Sequence, residues 1–128
     1  MKYFNGKKVS MDFEKAIKKV TEELKYEGFG VLTEIDMQAT MKEKLDVDFK
    51  KYRILGACNA PFAYKAFQYE DKIGLLLPCN VVVQENEDGS VEVSAVSPMA
   101  SMMAIENEAL SGIIHEIEGK LKNVIDAV

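Results

Sequence analysis

The spacing of apolar and polar residues divides the chain into alternating strand-like and helix-like segments. Lys2 to Val9 reads as an opening strand, bent or at a sheet edge because the turn-prone Asn5-Gly6 lies inside it. Ser10 then stands where a side-chain oxygen caps a helix, and Phe13, Ala16, Ile17, Val20 and Leu24 follow at helical spacing with charge on the other side. Gly28 ends that helix, since glycine takes the left-handed cap at no steric cost. Phe29 to Ile35 predicts a second strand, and Asp36 is placed to cap a lysine- and glutamate-rich surface helix carrying Met37, Met41 and Leu45. Phe49 to Cys58 predicts a third strand. Asn59 or Ala60 starts a third helix, because Pro61 suits a first turn where its missing donor costs nothing. Phe62, Ala66, Phe67 and Tyr69 form the apolar side of this helix.

Ile73 to Gln84 is the strongest strand signal, apolar on both faces for much of its length and therefore expected at the centre of a sheet. Pro78 cannot donate to a ladder, so a bulge or a change of partner is expected there. Asp88-Gly89 marks a hairpin into Val91 to Val96, where Val91, Val93 and Ala95 alternate with polar residues, which pairs the fifth strand antiparallel with the fourth. Ser97-Pro98 resembles a cap followed by a first-turn proline and opens a stretch with Met99, Met102 and Met103. From about Asn107 a last helix carries Leu110, Ile113, Ile114, Ile117, Leu121, Val124, Ile125 and Val128 in one stripe, with Gly112 and Gly119 read as points of close packing. The order predicts an α+β domain: two layers, a largely antiparallel five-stranded sheet, and helices packed on one face.

With 128 residues the chain suits one domain with a genuine core. A net charge of -5 gives the surface the wrong sign for a phosphate backbone, so nucleic acid is not expected as a partner. The lysines and arginine at 42, 44, 50, 51 and 53 are interrupted by Glu43, Asp46 and Asp48 and read as a solvated face. The N-terminus has no apolar signal core. The longest apolar run, Leu75 to Val83, is broken by Pro78 and Asn80 and is too short for a membrane span. A soluble, cytoplasmic protein is expected, and in that reducing compartment cysteines are free thiols, ligands or transient redox partners.

Catalytic constellations are scarce. The only histidine, His115, falls beside the apolar stripe of the last helix, and no glycine-rich phosphate loop is present. Glu85, Glu87 and Asp88 read as a solvated hairpin tip. Both cysteines, however, occur in the same dipeptide, Cys58-Asn59 and Cys79-Asn80, each after an apolar run and next to a proline. Cys58 precedes a helix start, where unpaired backbone donors favour a thiolate. If alternation survives Pro78, Cys79 faces the core and Asn80 the opposite side; a one-residue bulge reverses this. The plainer reading packs both cysteines as small hydrophobes. Two thiols are too few for a closed zinc site unless a symmetric partner supplies two more, and the three methionines suit gap filling better than a cuprous ion. Asn59 and Asn80 either cap neighbouring backbone or line a small-molecule pocket.

The segments ILGACNAPFAYKAF and IGLLLPCNVVVQE, with a late SPM before a terminal amphipathic helix, resemble the bacterial and archaeal family called domain of unknown function 302. The resemblance covers nearly the whole chain. It implies a compact α+β domain and a homodimer with no established biochemical role, and it marks Gly56, Cys58, Asn59, Pro61, Pro78, Cys79, Asn80 and Pro98. The leading reading is a ligand-binding domain with a site at Cys58, Asn59, Pro61, Pro78, Cys79 and Asn80. The alternative is a thiol-based redox or soft-metal site built from Cys58 and Cys79, and a third is a module that works by dimerising. All three turn on whether the two Cys-Asn edges converge.

Overall fold

The computed structural model describes residues 2–128. β1 (Phe4–Val9) leads into α1 (Phe13–Tyr26), β2 (Gly30–Asp36), α2 (Met37–Leu45), β3 (Tyr52–Cys58) and α3 (Ala60–Tyr69). A 3-10 turn (Asp71–Leu76) precedes β4 (Cys79–Glu85) and β5 (Val91–Val96). Then come α4 (Pro98–Ser101), a second 3-10 turn (Glu108–Leu110) and α5 (Ser111–Ala127). The strands form one antiparallel sheet in the order β1-β5-β4-β3-β2, and the fold is α+β.

β4 lies at the centre of the sheet, between β3 and β5, and its alternate residues Cys79, Val81 and Val83 face the core. Val81 pairs with Leu55 and Ala95, and Val83 faces Val93. Over this face α1 lays Phe13, Ala16, Ile17, Val20 and Leu24, and α5 lays Ile117, Leu121, Val124 and Ile125. Burying each of the larger side chains stabilises the fold by about 1.5–3 kcal/mol. At the margin of the same face Arg53 stands over the Phe13 ring and meets Glu34 at 2.7 Å, Glu14 at 3.5 Å and Asp36 at 3.7 Å, joining α1 to the β2–β3 pair. Lys42 pairs with Asp46 at 2.8 Å, so of the basic run Lys42 and Arg53 are held in ion pairs.

Several elements differ from the sequence expectation. Asp12, not Ser10, caps α1: its carboxylate accepts from the Lys15 N–H at 2.8 Å, and its charge suits the positive helix end. The long strand expected over Ile73 to Gln84 is split, with Asp71–Leu76 in a 3-10 turn and pairing only from Cys79. Pro78, reached through a cis peptide bond, has no N–H to give a ladder. Beyond it β4 keeps one register with β3, and the irregularity lies in β2, between Val31 and Thr33. β1 and β3 start at Phe4 and Tyr52, later than Lys2 and Phe49, and Asn107 caps the second 3-10 turn ahead of α5. Phe67 and Tyr69 are exposed, so α3 buries only Ala66 fully. Gly112 and Gly119 are not packing points, because a Cβ at either meets nothing within 4 Å.

Gly56 is a position where the sheet has no room for a side chain. A Cβ there stands 2.8 Å from Pro78 Cγ and collides with Thr33 Oγ1. Gly56→Ala is expected to cost about 1–3 kcal/mol, read as a lower urea midpoint at unchanged m-value.

Candidate functional site

β3 ends at Cys58 and β4 begins at Cys79. In an antiparallel pair these are the same end of the sheet, and Ala57 pairs directly with Cys79. The two Cys-Asn edges therefore converge. α3 leaves from Asn59 and passes over this end, with α5 beside it.

Two apolar clusters meet here. Phe29, Ala57, Cys79 and Ile117 belong to the main core, while Ala66, Ile73, Met102 and Leu110 form a smaller cluster under α3 and the two 3-10 turns. Between them lies a cavity of about 40 Å³, bounded also by Cys58, Asn59 and Phe62 and almost wholly apolar. That volume admits about three water-sized groups. Such a space favours hydrocarbon over water, since its walls offer few hydrogen-bond partners.

Asn59 is buried, and its Nδ2 donates to the Glu27 carbonyl at 3.2 Å. The amide thus closes the C-terminal end of α1 from across the chain. Gly28 makes this approach possible: its φ is 90°, and a Cβ there would lie 3.1 Å from the Asn59 nitrogen. Asn80 is exposed on the opposite face of the sheet, in a recess shared with Tyr3 and Tyr52. Pro78 stands against Gly56, and Pro61 is exposed in the first turn of α3. The structure thus gathers Cys58, Asn59 and Cys79 around one cavity, with Pro98 also in its wall, and leaves Pro61, Pro78 and Asn80 outside it.

Both cysteines are free, Cys58 half-buried and Cys79 buried. Burial pushes the Cys79 thiol up to about 11, and the neighbouring Cys58 and the Glu118 carboxylate add to the rise. At neutral pH Cys79 is a protonated thiol, and the thiolate is the nucleophilic and metal-binding form. Among the described residues no group of three or more His, Cys, Asp or Glu side chains is arranged to hold a metal ion. Of the three methionines only Met102 lines the cavity; Met103 is exposed, and Met99 and His115 border a separate groove.

Glu118 is the functional-looking group that the sequence reading passed over. It is 6% exposed. Its Oε1 accepts from the Ser97 hydroxyl at 2.6 Å and the Met99 N–H at 3.1 Å, and its Oε2 from the Asn5 amide at 3.2 Å. One carboxylate therefore fastens α5, the start of α4 and β1 together. Its position in the chain carried the signal: Glu118 lies four residues after Ile114 and three before Leu121, a charge inside the apolar stripe.

Removing this acceptor leaves three donors unpaired, two of them on elements that border the cavity. Glu118→Ala is expected to lower stability by about 3 kcal/mol, measured by urea unfolding at neutral pH. The Cys79 thiol gives a second expectation. Its folded value, about 11, is raised above the ordinary 9.0, so the folded chain holds the proton more tightly than the unfolded one. The resulting stability is present in full below pH 9.0 and is lost as pH rises through about 11. Comparing unfolding free energies at pH 8 and pH 10, wild type is expected to lose more stability than Cys79→Ala.

The family model described as domain of unknown function DUF302 matches residues 5–128. The crystal structure of an uncharacterized conserved protein DUF302 from Bacillus stearothermophilus is similar at a TM-score of 0.92 and 28% sequence identity, over 99% of this chain and 98% of that one. No curated protein matches the chain. With the Cys-Asn motifs, the five-stranded fold and a match along almost its whole length, the chain belongs to the DUF302 family.

Proposed function

We propose that this domain binds a small molecule, taking an uncharged apolar part of it into the cavity at the β3–β4 end of the sheet. The observation that carries the reading is a space left between two packed clusters, walled by hydrocarbon and the sulfur-bearing side chains of Cys58, Cys79 and Met102. Protein interiors are close-packed, and an apolar void forfeits dispersion contacts that an apolar guest restores. Cys58 and Cys79 serve here as soft, polarisable wall atoms, and Asn59 fixes the wall by its bond to Glu27. A redox or metal role for the two cysteines has less support, because burial keeps Cys79 protonated.

Pentan-1-ol is a suitable uncharged probe. Titrated into the protein and followed by amide and methyl NMR shifts, it is expected to give saturable changes at Ala57, Cys79 and Ile117. Ala63→Leu, which fills the space from α3, is expected to weaken binding at least about tenfold, as the added methylenes take the guest's place. Shifts that never saturate, or that are indifferent to Ala63→Leu, overturn the reading.

A further inference from the structure

We infer that the ligand is an anion: a short apolar tail enters the cavity while an acid group is held outside it between Lys65 and Lys120. The inference rests on the binding reading above and assigns the polar end of the same ligand. Phe62 forms part of the cavity wall and is itself half-buried. Two ammonium groups stand over its ring, Lys65 Nζ at 5.6 Å and Lys120 Nζ at 5.9 Å from the centroid. They come from different helices, α3 and α5, and converge on the same ring.

Among the described residues neither ammonium has an anionic partner: neither lysine makes an ion pair or a side-chain hydrogen bond, although the chain carries 21 acidic residues against 16 basic ones. Glu116, one turn before Lys120, makes no ion pair with it, and Lys65 is the one charged residue of α3. In an acidic protein two unpaired lysines at one aromatic ring put positive charge beside an apolar hole. That combination matches an amphiphile with a carboxylate or similar acid, whose charge replaces the weak attraction of the ring. A cavity of about 40 Å³ limits the enclosed tail to a few carbons unless Met102, the flexible side chain in the wall, turns aside. The class is therefore a short-chain organic acid.

Matched five-carbon probes separate head from tail. Pentanoate, pentan-1-ol and pentylammonium are titrated by NMR into wild type and into the Lys65→Gln/Lys120→Gln double variant at low ionic strength. In wild type pentanoate is expected to bind about five- to tenfold more tightly than pentan-1-ol, as two exposed ion pairs allow, with pentylammonium weakest. The preference is expected to shrink at 0.5 M salt. In the double variant pentanoate and pentan-1-ol become equal while pentan-1-ol keeps its wild-type affinity, which also shows that the variant is folded. Equal binding of pentanoate and pentan-1-ol in wild type, or a preference that survives the double substitution, overturns the assignment of the acid group and leaves the cavity reading standing. If no probe saturates, the cavity reading falls and the acid group with it.

Discussion

The register of β3 against β4 is the constraint on which the site depends. Side chains alternate along a strand, so pairing Ala57 with Cys79 points both into the space under α3. A slip of one residue would place Asn80 there and turn Cys79 to the other face. The main core would be opened by that shift too, because Val81 and Val83 would leave the helices with it. The same choice therefore fixes the fold and furnishes the cavity. Gly56 and Pro78 protect it from the opposite side of the sheet, where their close contact leaves no space for a different alignment.

Why a void persists at this point follows from how the two clusters are built. The main core is closed by α1 and α5, whose apolar stripes match the width of the sheet. The smaller cluster is assembled from short pieces, a ten-residue helix and two 3-10 turns, which cannot interlock as long helices do. Asn59 spends its amide on the end of α1, so the chain leaving β3 starts α3 from a fixed point. α3 then buries little beyond Ala66, and small residues on its inner side leave the gap unfilled.

Much of this was legible from residue spacing. The stripe of α1, the stripe of α5, the Val91 hairpin and the Cys58/Asn59 boundary are periodic or punctuated, and periodicity reports which face is buried. The alternation that put Cys79 inward was readable for the same reason. The turn over Asp71–Leu76 was not: a short apolar run carries no period that separates a strand from a tight helical turn, and only the absent N–H of Pro78 delays pairing. The same alternation put Asn80 on the other face, but the inward turn of Asn59 onto the Glu27 carbonyl was beyond reach, since a dipeptide repeated in sequence need not repeat in space. Glu118 was visible as a charge within an apolar stripe, yet its donors lie on β1 and α4, 113 and 21 residues away along the chain. Lys65 and Lys120 give no sign at all until α3 and α5 bring them to one ring.

Among the described residues, the segment from Pro98 to Glu106 is fastened to the rest of the molecule by polar bonds only at its two ends. Glu118 grips Ser97 and Met99, and Asn107 donates to the Tyr69 carbonyl at 2.8 Å. Between these rivets its backbone bonds are made to itself, from Met102 to Pro98 and from Ile105 to Met102. It behaves as a strap held by buckles, and its pressure on the cavity through Pro98 and Met102 is dispersion alone. Widening the chamber at this wall therefore trades contact for volume without breaking a hydrogen bond to the rest of the fold.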